Sequence, residues 1–466
     1  MTQVVEQMEW SKLLVKKKVG NDFIRISGIQ SEFEMDYLKI ITNQSFRRLQ
    51  DKTQVFPLEK NDFIRTRLTH SLEVSYIGKL IVQKFGSYAL KEERKDRFKV
   101  TEDELEMMAD IVMSAGLIHD IGNPPFGHYG EKSIQEWFYK NKDKLNINGI
   151  ELEEKYQKDF VNFDGNAQAL RVVNRLTYTD NKNGLDLSMP LLNTLVKYPV
   201  SSEEMGIGNE FKKIGYFHSE ADLYEIITKA TGAKGKRHPL TYILEAADDI
   251  AYVAADIEDA LKKKVFSGVH FLKVLKQHTE KSKVNIKEDI SQLEKALENP
   301  IDELSEIHQW LMNVQASLIY SAAFRFGKDY KSIMEGNYLH KDLFHDTHHG
   351  EMIKILKKVS YECVFNDSQI LKLELSGNTV ITWLLDHFVP AAIKYDVIKD
   401  LDSTDKKLMS LISNSSKKTY QHCKDRGNEL SEEEKLYHRI LMVTDYISGM
   451  TDSYARDLYR ELNGID

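Results

Sequence analysis

Proline is nearly missing from this chain, with eight in 466 residues, at positions 57, 124, 125, 190, 199, 239, 300 and 390. Proline removes a backbone donor and clashes with the preceding helical turn, so this scarcity permits long helices almost everywhere. Apolar residues at three-to-four spacing take up that permission at Leu105, Met108, Ala109, Val112 and Met113. They do so again at Leu240, Ile243, Leu244, Ala247, Ala251 and Ala254. Strand-like alternation is rare and short, Asp22 to Ile26 being the better candidate, and no repeat or low-complexity segment is found. The expected fold class is all-α. Polar stretches near residues 140–160 and 276–299 read either as an excursion and a linker or as charged helices between lobes.

With 41% hydrophobic and 29% charged residues, the chain has the composition of a soluble globular protein that buries a sizeable core in two or three lobes. Its two cysteines, Cys363 and Cys423, imply no disulfide framework, which points to a reducing, cytoplasmic compartment. Met1 to Met8 lack the basic and apolar regions of a secretory signal, and no apolar run reaches membrane-spanning length. A formal net charge of −8 argues against a chain-wide nucleic-acid footprint. The basic clusters Lys234 to His238 and Lys262 to Lys264 are local contact points or simply solvated faces.

The stretch from Gly116 to Glu131 crowds His119, Asp120, His128 and Glu131 around Gly122, Pro124 and Pro125. Imidazole and carboxylate together suit Mn, Fe, Zn or Mg ions, and Gly and Pro let the chain turn sharply enough to aim neighbouring side chains inward. On a straight helix successive side chains diverge by about 100°, so His119 and Asp120 can share an ion only across a bend. Taken alone, His119 reads more simply as a cation at the end of an apolar helix, and Asp120 as the start of a loop.

Two further segments offer ligands. His70 follows Arg65 and Arg67 at spacings of five and three, which would put guanidinium groups beside a ligand-bearing helix. Asp248, Tyr252 and Asp256 fall at four-residue steps along one helical stripe among alanines, where a carboxylate is costly unless it is paired or binds a metal. Asp249 competes with Asp248 for the ligand role. A core histidine and an arginine-paired aspartate are the plainer readings of His70 and Asp248 taken singly.

As a set, His70, His119-Asp120 and Asp248 resemble the H…HD…D order of the HD-domain metal-dependent phosphohydrolases. Five longer strings resemble the bacterial deoxyguanosine triphosphate triphosphohydrolases more closely: Arg47 to Leu58, Arg65 to Ser71, Gly122 to Glu131, Gly165 to Gln168 and Glu245 to Tyr252. A weaker echo lies at Tyr446 to Asp452. The resemblance covers roughly residues 43 to 260 and offers much less over 265–440. It implies an HD-type helical core with additional helical lobes, a catalytic core within 1–260, and a helical region over 261–466 that completes the pocket and the oligomer contacts.

Carried over by position, the resemblance makes His70, His119, Asp120 and Asp248 the ligands of one divalent ion, with Asp248 preferred because Tyr252 follows four residues on. Mn or Mg is expected first, with Fe, Co and Zn left open. His128 and Glu131 become a proton-handling pair, and Arg67, Lys197 and Lys213 contact phosphate, with Tyr198 beside Lys197. Tyr252 packs on the sugar and excludes a 2′-hydroxyl, while Asp256 or Gln54 meets the 3′-hydroxyl. The implied activity is hydrolysis of dGTP, or of other dNTPs, to deoxynucleoside and inorganic triphosphate by attack of water at the α-phosphorus. The implied partners are the nucleotide, further copies of the chain (commonly a hexamer) and a nucleotide or single-stranded DNA effector, with no membrane. Two other readings are an HD phosphohydrolase acting on another nucleotide and a non-catalytic sensor of dNTP or single-stranded DNA.

Overall fold

A computed structural model describes residues 7–20, 31–177, 183–208, 211–282, 287–298, 300–338, 340, 342–425 and 430–465. Among these residues it contains 22 α-helices and one two-stranded sheet, so the chain is all-α. The strand candidate Asp22 to Ile26 lies outside the described residues. The sheet is a hairpin pairing Asn146 with Glu151 and Ile147 with Ile150. Its turn residues Asn148 and Gly149 have φ of 52° and 79°, the positive values a tight hairpin turn requires. The polar stretch near 140–160 is thus this hairpin followed by a helix at Glu154–Val161, and 276–299 holds the end of one helix and another at Lys287–Ala296.

The helices that bear on function are α1 (Glu32–Ile41), α2 (Arg67–Ala89), α3 (Glu102–Ile118), α4 (Gly127–Asn141), α5 (Gly165–Arg171), α6 (Met189–Leu195), α7 (Pro239–Lys262), α8 (Glu303–Lys328), α9 (His348–Ser360), α10 (Ser368–Lys394), α11 (Glu432–Ser448) and α12 (Asp452–Leu462). Their starts follow from local chemistry. Thr101 and Glu104 exchange side-chain and backbone hydrogen bonds at the head of α3, and Pro239 opens α7 where its missing N–H costs nothing. Pro390 departs from the punctuation rule, because it lies inside α10.

Glycines set the register of the antiparallel α2–α3 pair. A Cβ at Gly78 would stand 2.4 Å from Val112 Cγ1, one at Gly86 2.9 Å from Leu105 Cδ1, and one at Gly116 2.7 Å from the Ser75 backbone. Backbones this close fix which residues face one another, and by the same register His70 on α2 comes opposite His119 at the end of α3.

Apolar side chains bury in two clusters, both drawing on chain from either side of residue 260. The first joins Val74, Ile81 and Phe85 of α2 with Met108 and Val112 of α3 and Ile243, Ala247 and Ile250 of α7, and extends into α8 and α9. The second joins Trp137 and Phe138 of α4 and Phe160 with Leu384 and Phe388 of α10 and Ile440 and Leu441 of α11. Each large side chain so buried stabilises the fold by about 1.5–3 kcal/mol. The loop between α3 and α4 lies where the two clusters meet: Ile121 belongs to the first and Phe126 to the second. No helix among the described residues is long and apolar enough to cross a membrane.

Candidate active site

His70 from α2, His119 from the end of α3 and Asp248 from α7 converge, with one ligand atom from each within 4.8 Å of the others. Asp248 Oδ1 lies between the imidazoles, 3.1 Å from His70 Nε2 and 3.4 Å from His119 Nε2. The rings stand edge to face, with centroids 5.4 Å apart. His119 Nδ1–H donates to the Gly116 carbonyl at 2.8 Å, which leaves the Nε2 lone pair facing the carboxylates, and that buried nitrogen has no hydrogen-bond partner. Two buried imidazoles aimed at one carboxylate are a donor set that fits a divalent ion.

Asp120 sits at the edge of this group. Its Oδ2 is 3.6 Å from His119 Nε2 but is held by the Arg67 guanidinium, and its Oδ1 accepts from the Asn123 amide at 2.8 Å. Asp248 also accepts from Lys197 Nζ at 3.1 Å. Burial alone would raise both carboxyls, but Lys197 and His119 hold Asp248, and His119 and Arg67 hold Asp120, well below the usual carboxylate range. Burial pushes His119 the other way, and the two aspartates overcome it and raise its pKa. Asp249 turns away and pairs with Lys357 at 2.7 Å, so Asp248 is the aspartate that joins the histidines. Of the two arginines before His70, only Arg67 reaches the site. Arg65 is tied to Glu73, Glu258 and Asp259 at 2.7–2.9 Å.

The short loop after Asp120 bends back through Phe126 and Gly127, at φ of 62° and 60°, and launches α4. His128, in its first turn, is exposed. The crowding of the cleft around it, then the Arg67 and Lys213 cations, lower its pKa from the ordinary imidazole value. Glu131 is buried and accepts from Gly165 N at 3.0 Å and Lys213 Nζ at 3.2 Å, not from His128. The expected His128–Glu131 pair is therefore one helical turn apart without a direct hydrogen bond. Burial, then the neighbouring Asp164 carboxylate, push Glu131 up to about 7. Lys213, expected on phosphate, bridges Glu131 and Asp164, the latter at 2.9 Å.

Along α7 the stripe continues from Asp248 to Tyr252 and Asp256. The Tyr252 ring lies parallel to Phe365, with centroids 6.3 Å apart. Asp256 is fully buried, with the Tyr252 side chain against its carboxyl; Gln54 Oε1 is likewise buried and has no hydrogen-bond partner among the described residues. Burial raises the Asp256 pKa well above the carboxylate range, with Tyr252 opposing it. Tyr198, half-buried beside Lys197, faces Phe211 at a 6.1 Å centroid distance.

Sequence reasoning missed Lys52, Asp164, Phe365 and Asp452. Lys52 is buried and donates to the Asn123 and Ser448 carbonyls at 2.6 and 2.7 Å. Asp452 lay in the C-terminal echo, the one signal that pointed at its segment.

An HD domain model matches residues 67–174, the span from α2 through the α3–α4 loop to α5. Over 98% of its length the chain is 42% identical to a deoxyguanosinetriphosphate triphosphohydrolase-like protein of Listeria monocytogenes, all of which is covered. It is 32% identical to a protein of the same description from Synechocystis, over 98% of this chain and all of that one. It is also 32% identical to a deoxyguanosinetriphosphate triphosphohydrolase of Yersinia enterocolitica, over 92% of this chain and 93% of that one.

Proposed function

The chain belongs to the deoxyguanosine triphosphate triphosphohydrolase family of HD-domain proteins, and on that premise we propose that it hydrolyses dGTP, and other dNTPs with it, to deoxynucleoside and inorganic triphosphate. The observation that carries this reading is the convergence of the buried His70 and His119 imidazoles on half-buried Asp248, with Arg67 paired to Asp120 and Lys197 to Asp248, carboxylates that an ion would claim.

His70, His119, Asp120 and Asp248 would hold one divalent ion, Mn or Mg before Fe, Co or Zn. When bound it supplies positive charge at the α-phosphate and a more acidic water. Arg67 and Lys197 then exchange carboxylate for phosphate oxygens and neutralise charge that grows in the transition state. Lys213, half-exposed and shared between two acids, does the same further along the triphosphate with Tyr198 beside it. His128 protonates the departing 5′-oxygen, and Glu131, one helical turn away and fixed by Lys213 and the Gly165 amide, tunes that histidine. Tyr252 packs on the sugar and leaves no room for a 2′-hydroxyl. Asp256 or Gln54, whose oxygens are buried beside Tyr252 and Thr53, meets the 3′-hydroxyl.

The family likeness also supports a cytoplasmic homo-oligomer, a hexamer first, that answers to a nucleotide or single-stranded DNA. Exposed Leu72 and Tyr76 on α2 and Met312, Tyr320 and Phe324 on α8 are apolar side chains that another copy would cover.

The test is product analysis after incubating metal-stripped protein, resupplied with Mn or Mg, with each dNTP and with GTP. Deoxyguanosine with triphosphate is the expected result. Monophosphate with pyrophosphate would move the attack to another bond, and binding without turnover under any metal would make the protein a sensor.

A further inference from the structure

Three chain segments far apart in sequence meet on two buried polar side chains, Lys52 and Asp452. Asp452, the first residue of α12 and 1% exposed, accepts from Phe126 N at 2.9 Å with Oδ1. Its Oδ2 accepts from Thr53 N at 3.1 Å and from the Thr53 hydroxyl. Beside it, the Lys52 ammonium ties the Asn123 carbonyl to the Ser448 carbonyl. Asn123 in turn holds Asp120.

What these bonds restrain is specific. Phe126 has a left-handed backbone, which a bulky residue rarely adopts, and it is the last residue before the helix that presents His128. Thr53 pairs with Thr66 in an isolated antiparallel bridge directly before Arg67, and the next residue is Gln54, whose buried oxygen has no partner. A desolvated carboxylate spent wholly on two loops costs stability unless its oxygens are hydrogen-bonded, and here both are, through three donors.

We propose that Asp452 is a positioning residue of the cleft: its carboxylate holds the Phe126–Gly127 turn and the Thr53–Gln54 segment in one register, so that His128 and Gln54 address the same nucleotide from two sides. The inference rests on the triphosphohydrolase reading, with Gln54 at the 3′-hydroxyl. In Asp452→Asn the amide keeps one oxygen and turns its NH2 toward a backbone N–H, so one loop is released while the side chain keeps its size.

The experiment measures kcat and KM of full-length, Mn-loaded protein with dGTP and with 2′,3′-dideoxy-GTP, together with Mn affinity and melting temperature. For Asp452→Asn, kcat on dGTP falls about 10- to 100-fold, since a displacement near 1 Å at a reacting group costs about that much. KM stays within about threefold, and Mn affinity is unchanged because His70, His119 and Asp248 stand on other elements and Asp120 keeps its own bonds to Arg67 and Asn123. The preference for dGTP over the dideoxy analogue collapses toward one. Thr53→Val, which removes only the hydroxyl donor, shows the same collapse in smaller measure and reads the same quantity if Asp452→Asn does not fold. A kcat loss with the wild-type preference retained, or a parallel loss of Mn affinity, would make Asp452 a merely structural residue. A wild type inert on dGTP would sink the reading beneath the inference. An active wild type whose two variants keep its preference sinks the inference alone.

Discussion

Gly116→Ala adds one methyl group where two helix backbones cross. The new Cβ would lie 2.7 Å from Ser75 Cα, 2.8 Å from Ser75 N and 3.1 Å from the Val74 carbonyl carbon. Ordinary contact begins at 3.4 Å, so α2 and α3 must separate by about 0.7 Å, and backbone cannot rotate aside as a side-chain tip can. On an exposed helix this change stabilises by ~1 kcal/mol through helix propensity. Overpacking of a tight interface costs about 1–3 kcal/mol, so the net expectation is a loss of up to ~2 kcal/mol. The damage travels further, because the Gly116 carbonyl orients His119 and Ser75 lies little more than one turn beyond His70. Separation along this seam pulls the two imidazoles apart and lowers divalent-metal affinity by about tenfold or more. Urea unfolding and a Mn binding isotherm on the same preparation read both effects. Gly86→Ala is the control: its Cβ meets only the ends of the Leu105 side chain, which can rotate, so its stability stays near wild type. A Gly116→Ala protein as stable as wild type with undiminished metal affinity would refute the claim that this crossing sets the site.

Asp248→Ala empties the metal site and abolishes turnover, whereas Asp249→Ala, which loses only the Lys357 pair, keeps its metal; metal analysis of the dialysed proteins separates them, and the reverse pattern would exchange their roles. His128→Ala retains metal and nucleotide while kcat falls about 10²- to 10⁴-fold, the usual worth of a positioned proton donor; steady-state kinetics and a binding isotherm check both halves. His238, the buried N-cap of α7, is held neutral by burial, its pKa lowered to about 4. As pH falls below about 6.5 the unfolded chain takes up a proton that the native state refuses until about 4, so stability is lost across that window, by ~3 kcal/mol at its acid end. In His238→Asn, which keeps a capping acceptor, urea midpoints measured from pH 7 to pH 4.5 fall less steeply than those of wild type.

The helices were legible because their signals are local: proline placement, apolar spacing and caps act within a few residues. The His-Asp cluster was legible because metal chemistry needs particular side chains, and the strings around them were long. What hid from sequence was pairing. Nothing in the order of residues says that Arg67 and not Arg65 reaches Asp120, or that Lys213 lies between Glu131 and Asp164. Those choices are made by the α2–α3 crossing and by where α5 begins. Phe365, beside Tyr252, sits on a wide helical turn in a region whose sequence offered no anchor. Asp452 was read as an echo, and its work shows only once α12 is packed behind the loop.

The contact between Phe126 and Asp452 spans 326 residues of chain. At about 5–20 residues per second on the ribosome, the loop that presents His128 waits on the order of tens of seconds for its restraint. During that interval Trp137, Phe138 and Phe160 also lack their partners from α10 and α11. The nascent protein therefore carries an open aromatic surface until its last helices emerge, which makes chaperone occupancy and synthesis rate, as much as final stability, determinants of how much active protein a cell obtains.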